Sequence, residues 1–216
     1  MKATAIAHAN IALVKYWGKR DIKLNLPAVG SISMTLRDLF TQSSIFFSEE
    51  FSEDILILNG QPAGEVERRR VSSFLDIFRD LSGVRMCAKV ESHNNFPTGA
   101  GLASSASGFA ALTIAASAAL GLELSSEKLS ILARQGSGSA ARSIYGGFVE
   151  MKKGELPDGS DAYAIQLYDE NYWNLDMLIL ITSEEEKEIS STRGMKLTAE
   201  TSPYYSAWVQ SSEDDL

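Results

Sequence analysis

The chain has 216 residues, a formal net charge of −8, one cysteine and two histidines. Its 44% hydrophobic and 22% charged content fits a soluble globular protein with one large domain, or one domain and part of another. No run reaches the ~18 apolar residues of a membrane span, and no signal-peptide profile opens the sequence. Cys87 alone excludes an intrachain disulfide, Cys87 with His8 and His93 makes a poor zinc site, and the acidic balance argues against a broad nucleic-acid face. A reducing, cytoplasmic setting is the expectation.

Residues 4–14 are apolar and β-compatible, then break at a basic turn. There Lys15, Lys19, Arg20 and Lys23 fall within nine residues, with Asp21 the only acid among them. A solvated charge cluster is the plain reading. Against it, Tyr16, Trp17 and Gly18 stand between the cations, and aromatics are costly to leave in water, so part of the turn should pack. A packed turn that carries cations is a better anion receptor than a free tail.

Residues 31–36, 43–47 and 55–58 read as short strands, and Asn59-Gly60 marks a hairpin. Between 65 and 81, Val71, Phe74, Leu75, Phe78 and Leu81 recur at helical spacing, with Gly83 as the stop. Residues 84–90 alternate as a strand and deliver the chain to Pro97-Thr-Gly-Ala-Gly-Leu-Ala-Ser-Ser-Ala-Ser-Gly108. Gly99 and Gly101 let the backbone approach a ligand, and Ser104, Ser105 and Ser107 can supply hydroxyls or cap a helix. The first turn of that helix offers unpaired N–H groups and a positive dipole end, which together suit phosphate. The two common fingerprints do not fit. No Lys occurs from Asn94 to Leu122, as a Walker A loop requires, and Ser104 replaces the third Gly of a dinucleotide turn. Alone, the segment reads equally as a phosphate cradle or as a flexible loop before a buried helix.

Residues 103–120 are apolar on every side, so the helix they form belongs in the core. Gly121 closes it, and Ser125 or Ser126 caps a shorter helix to Arg134. In Gly136-Ser-Gly-Ser-Ala-Ala-Arg142-Ser143, an Arg fork beside Ser137 and Ser139 suits bidentate recognition of phosphate or carboxylate, a plain Ser/Gly loop being the alternative. Residues 146–151, 162–167 and 175–182 read as strands. Helices and strands mix without regular alternation, which favours α+β over a doubly wound sheet.

In this order the pieces resemble the mevalonate diphosphate decarboxylases of the GHMP kinase superfamily. The resemblance rests on Ala9-Asn10-Ile11-Ala12, Lys15-Tyr-Trp-Gly-Lys-Arg-Asp21, Leu24-Asn25-Leu26-Pro27, Ser31-Ile-Ser33, Asn94-Asn-Phe-Pro-Thr98, Gly101-Leu-Ala-Ser-Ser-Ala106, Gly136-Ser-Gly-Ser139, Arg142-Ser143, Tyr145-Gly-Gly-Phe148 and Thr201-Ser-Pro203. It covers essentially the whole chain. It implies a GHMP-type two-domain α+β fold: an N-terminal ATP- and substrate-binding domain over 1–173, then the opening of a ferredoxin-like C-terminal domain over 174–216. It also implies a cytoplasmic homodimer that binds neither nucleic acid nor membrane. The implied reaction is ATP- and Mg²⁺-dependent conversion of (R)-mevalonate 5-diphosphate to isopentenyl diphosphate, ADP, phosphate and CO₂ through phosphorylation of the tertiary hydroxyl.

By position, the resemblance assigns Pro97, Gly99, Gly101, Leu102, Ala103, Ser104, Ser105 and Ser107 to ATP. Mg²⁺ would arrive on the nucleotide, with Ser105 the one side chain near it and no direct protein ligand. Tyr16, Trp17, Gly18, Lys19 and Arg70 would meet the substrate diphosphate. Ser137, Gly138, Ser139, Ala140, Ala141, Ser191 and Thr192 would orient the substrate, and Arg142 would meet its carboxylate. Lys15 would lie beside the transferred phosphate, and Lys187 would border the cleft. Val29-Gly30 departs from the family's Asn-Ser, and Met151 from its Trp. The family's catalytic Asp, in an Asp-Ala-Gly-Pro-like turn, has no match. The resemblance therefore implies a polypeptide continuing past Leu216, which falls within a helix begun near Pro203, and weak turnover by these 216 residues alone. Two alternatives stand beside it: a GHMP kinase phosphorylating mevalonate or phosphomevalonate without decarboxylation, and a non-catalytic nucleotide-binding or oligomerisation module.

Overall fold

Alternating alanines make the first strand a surface on which a helix can lie. In the computed structural model, which describes residues 1–97, 101–180 and 189–216, β1 (Lys2–Val14) turns Ala3, Ala5, Ala7 and Ala9 to one face. Their methyl groups let α2 (Ser104–Ala119) approach closely, and all the alanines of α2 but Ala118 are buried in its packing with β1 and β4 (Ser31–Ser48). An all-round apolar helix is satisfied only in such a central place.

The sequence divides β4 into two strands, 31–36 and 43–47, but the structure runs straight through Arg37 and Asp38. β1 pairs antiparallel with β4 on both sides of residues 36–39, which the register shift between His8 and Asn10 leaves unpaired with β1. The opposite edge of β4 carries β7 (Cys87–Asn94) and β8 (Phe148–Met151). β5 (Ile55–Leu58) lies parallel to β7 and turns through Asn59 (φ 49°) and Gly60 (φ 80°) into β6 (Gln61–Pro62), while β9 (Ala164–Tyr168) pairs with β8. A separate small hairpin joins β2 (Lys19–Asp21) to β3 (Leu26–Pro27).

α1 (Glu65–Ser82) buries Phe74, Leu75 and Phe78 at the expected spacing and ends at Gly83, whose N–H reaches the Arg79 carbonyl at 2.9 Å. α3 (Ser126–Gly136) is capped by Ser125, and a 3-10 turn, Gly138–Ile144, follows it. Leu26, Ala141, Val149, Met151, Ala162 and Ala164 form a second small core beneath that turn. Met151 is fully buried there, which fits a core exchange at this position. The mixed architecture is the α+β class expected.

Three expectations need correction. β7 opens at Cys87 rather than at 84, because its pairing with β4 starts at Cys87. Residues 175–180 form no strand, and 181–182 lie outside the described residues. The helix expected from near Pro203 to the last residues is instead α5 (Tyr205–Ser211), preceded by α4 (Ser191–Thr201), and residues 212–216 lie beyond it.

α1 is fastened to the sheet by a buried ion pair. Arg79 Nη2 donates to Asp54 Oδ1 at 2.5 Å, each side chain being 7% exposed. The Ala88 N–H and the Ser72 hydroxyl also donate to Asp54, and Arg79 caps the Met86 carbonyl. Burial opposes ionisation of Asp54, but these donors outweigh it and hold the carboxyl below its ordinary range. Removing one partner leaves the other charged and buried. Asp54→Asn should therefore cost about 3–5 kcal/mol in urea unfolding at neutral pH. Because the folded-state value is depressed, the stabilisation is present above the unfolded carboxyl's titration and lost as pH falls through the folded one. The stability gap between wild type and variant should narrow with acidification below that range.

Candidate active site

The basic turn, the end of α3, the 3-10 turn and the start of α4 converge on one cavity of about 790 Å³. Arg142 forms its floor. Its side chain is 2% exposed, and its guanidinium is spread over neutral acceptors: Nε on Ser33 Oγ at 2.9 Å, Nη1 on Ser31 Oγ at 2.6 Å, and Nη2 on Asn10 Oδ1 at 3.1 Å. Asn10 is itself held by the Ser139 carbonyl and the Ser143 hydroxyl. Burial without a carboxylate pulls Arg142 down to about 10, with Tyr16 acting in the opposite direction, so the group is charged at neutral pH.

Tyr16 lies over Gly138, 6% exposed, and burial pushes its phenol up to about 12 against the fields of Arg142 and Arg134. Trp17 packs on Gly194 of α4, and the space a Cβ would take at Gly18 (φ 94°) is filled by Tyr205. The aromatic pair thus packs as expected and fixes the turn. Lys19 Nζ donates to Asn25 Oδ1 at 2.6 Å and reaches Thr192 Oγ1 at 3.3 Å. Burial, and then repulsion from Arg70, lower its pKa. Arg70 rests on the Phe109 ring at 4.6 Å and donates to the Gly136 carbonyl at 2.7 Å. Burial lowers its pKa, partly offset by Glu67 one turn back on α1. Among the described residues, no acidic side chain lines this cavity.

Next to the cations lies a row of hydroxyls. Ser137 Oγ is 3.3 Å from Ser105 Oγ and 3.4 Å from Ser139 Oγ, so the start of α2 and the 3-10 turn face each other. Ala103 precedes α2 at φ 58°, after Gly101 at φ 92°, and no side chain caps the helix. The Ala106 N–H turns back to the Ala103 carbonyl at 2.8 Å, and the positive end of the helix dipole lies beside these hydroxyls, a setting that suits an anion.

The structure therefore brings Lys15, Tyr16, Trp17, Lys19, Arg70, Gly101, Ala103, Ser105, Ser137, Gly138, Ser139, Arg142, Ser191 and Thr192 around one cavity. Ser104 lines a smaller cavity of about 200 Å³, which shares Arg70, Ser105 and Phe109 with the first. Pro97 and Leu102 flank the loop without lining either cavity. Ala140 and Ala141, within the 3-10 turn, are fully buried and line neither cavity. Ser107 neither caps α2 nor faces the cleft: fully buried, it bonds Thr41 Oγ1 at 2.6 Å, because the fourth helical position points to the sheet. Gly99 and Lys187 lie outside the described residues.

Sequence reasoning gave no role to Asn10, Asn25, Ser31, Ser33 or Phe109. Asn10 stands as an amide in the otherwise apolar run of residues 9–14 and Asn25 between two leucines in a turn, so polarity out of pattern was the available signal.

Residues 7–164 match the diphosphomevalonate decarboxylase-like N-terminal domain, and residues 177–212 match the mevalonate 5-diphosphate decarboxylase C-terminal domain. The chain is 43% identical to a diphosphomevalonate decarboxylase of Saccharomyces cerevisiae, covering 94% of itself and 55% of that protein. Against the human counterpart the figures are 43%, 93% and 53%. The chain thus spans about half the length of the curated relatives it matches. Among solved structures, the mevalonate diphosphate decarboxylase from Enterococcus faecalis superposes with a TM-score of 0.87 at 43% identity, over 100% of this chain and 65% of that one. A complex with MVAPP, AMPPCP and magnesium gives the same values.

At Gly138 a Cβ would intrude on the Tyr16 ring, whose hydroxyl is already sealed in. Gly138→Ala should cost about 1–3 kcal/mol in denaturant unfolding. It should also raise the fluorescence exposure of the Tyr16–Trp17 turn to an added quencher.

Proposed function

The chain belongs to the diphosphomevalonate decarboxylase family, and we propose that it provides the nucleotide- and substrate-binding cleft of an enzyme that decarboxylates mevalonate 5-diphosphate. One observation carries the reading: Arg142, buried with neutral partners only, at the floor of a cavity whose described lining holds cations and no acid. A buried cation left without a carboxylate is stable when its counter-ion is the ligand. A substrate with a carboxylate at one end and a diphosphate at the other matches Arg142 on one side and Lys19 with Arg70 on the other.

ATP supplies the phosphoryl group that turns a tertiary hydroxyl into a leaving group. The residues of the chain hold and orient the reactants. The uncapped start of α2, with Ser105 and Ser137, accepts phosphate oxygens. The smaller cavity, lined by Leu56, Leu58, Val90 and Leu112 together with the polar Ser92, Asn94, Glu67 and Arg70, offers an apolar surface with polar groups for a nucleobase. No group of acidic, His or Cys side chains among the described residues forms a metal cage. A Mg²⁺ ion would be carried on the phosphate oxygens of the nucleotide, with the Ser105 hydroxyl the side chain near it. Arg142 would pin the carboxylate. As phosphate leaves with the C–O pair, the electrons of the breaking carbon–carboxylate bond form the new double bond and CO₂ departs. Lys15, at the cleft wall, faces the charge that develops on the transferred group. The proton acceptor for the tertiary hydroxyl is not among the described lining residues.

The same reading divides the chain near residue 173 and carries with it a homodimeric, cytoplasmic enzyme. It is supported by the family resemblance; among the described residues no helix is long and apolar enough to cross a membrane.

The direct test is release of CO₂ from mevalonate 5-diphosphate by the intact gene product, with and without ATP. Equal amounts of ADP and CO₂ are expected, whereas ADP without CO₂ would move the assignment to a kinase. Arg142→Lys keeps the charge but loses the planar fork. It should lower kcat/KM by roughly 100-fold or more while the protein remains folded; unchanged kinetics would show that Arg142 does not clamp the carboxylate.

A further inference from the structure

We propose that Asn25 is a positioning residue that aims Lys19 into the cleft while leaving its charge uncompensated; the inference rests on the reading of that cleft as an anion site. Three constraints meet at this position. Asn25 Nδ2 donates to the Gln135 carbonyl, in the last turn of α3, at 2.7 Å. Asn25 Oδ1 accepts from Lys19 Nζ at 2.6 Å. A carbonyl can only accept and an ammonium can only donate, so the side chain between them must present a donor at one end and an acceptor at the other. An amide does this, and its orientation is fixed by the two partners. The backbone of Asn25 is left-handed, φ 52°, a region asparagine tolerates better than most side chains. The residue is 9% exposed, so neither bond is exchanged freely for water.

Aspartate has the same shape, tolerates the same backbone and would make a stronger bond to Lys19. It would also neutralise that lysine and set a carboxylate oxygen against the Gln135 carbonyl. Among the described residues, the groups facing Lys19 are otherwise Thr192, a neutral hydroxyl, and Arg70, a repelling cation. An acid at position 25 would thus cancel one of the two cations assigned to the diphosphate. The amide separates orientation from neutralisation.

The probe is inorganic diphosphate, titrated calorimetrically into the purified protein and into Asn25→Asp, Asn25→Gly and each of these in a Lys19→Met background. Glycine keeps the left-handed backbone and adds no charge. Asn25→Asp should bind at least tenfold more weakly than Asn25→Gly, and the difference should shrink several-fold once Lys19 is replaced. Equal weakening by Asp and Gly, or a difference undiminished in the Lys19→Met background, would overturn the inference. If Asn25→Asp does not fold, Asn25→Gly in the intact gene product decides. KM for mevalonate 5-diphosphate should rise at least threefold with kcat within twofold of wild type, and an unchanged KM refutes the role. Wild-type protein that ignores diphosphate entirely would instead overturn the reading of the cleft and this inference with it.

Discussion

The architecture depends on burying cations without giving them acids. Arg142 and, more shallowly, Lys19 and Arg70 are withdrawn from water, yet their hydrogen bonds go to serine hydroxyls, amide oxygens and a backbone carbonyl. Taking such charges out of water costs several kcal/mol each when nothing compensates. Their lowered pKa values express that cost. The contrast with Arg79 is instructive: the same guanidinium, buried against Asp54, has its pKa raised, and it serves the fold. Buried arginines thus serve in different ways: Arg79 against a built-in carboxylate and Arg134 against backbone carbonyls hold the fold, whereas Arg142, on neutral side chains, faces the cleft.

Holding repelling cations close demands a stiff frame, and small residues build it. The alanines of β1 and α2 bring strand and helix together, so that the uncapped start of α2 reaches the 3-10 turn that carries Arg142. Gly136 admits the Phe109 ring on which Arg70 rests, and Gly138 admits Tyr16. A side chain at either glycine would push away the aromatic that fixes a cation. Arg134 secures the frame from behind by donating to the Gly159, Ala162 and Leu24 carbonyls, one residue before Asn25.

Much of this was legible in the sequence where local chemistry decides. The spacing of Phe74, Leu75 and Phe78 located α1, Asn59-Gly60 located the hairpin, and the aromatics between Lys15 and Lys19 announced a packed basic turn. What could not be read depended on partners distant in the chain. β4 continues past Arg37 and Asp38 because β1 pairs with it on both sides of that bulge, and 3.6-residue periodicity sends Ser107 to Thr41 while Ser105 faces Ser137. The role of Asn25 needs Gln135, more than a hundred residues away, to be seen.

The central claim is that Arg142, Lys19 and Arg70, whose hydrogen bonds go to neutral groups, are matched to a ligand with a carboxylate and a diphosphate. A crystal structure of the protein with mevalonate 5-diphosphate tests it most directly. The account predicts the carboxylate on the guanidinium of Arg142 and the diphosphate against Lys19 and Arg70, with Asn25 still bridging Lys19 to Gln135. A ligand bound elsewhere, or a bound ligand with its diphosphate away from both cations, would contradict it.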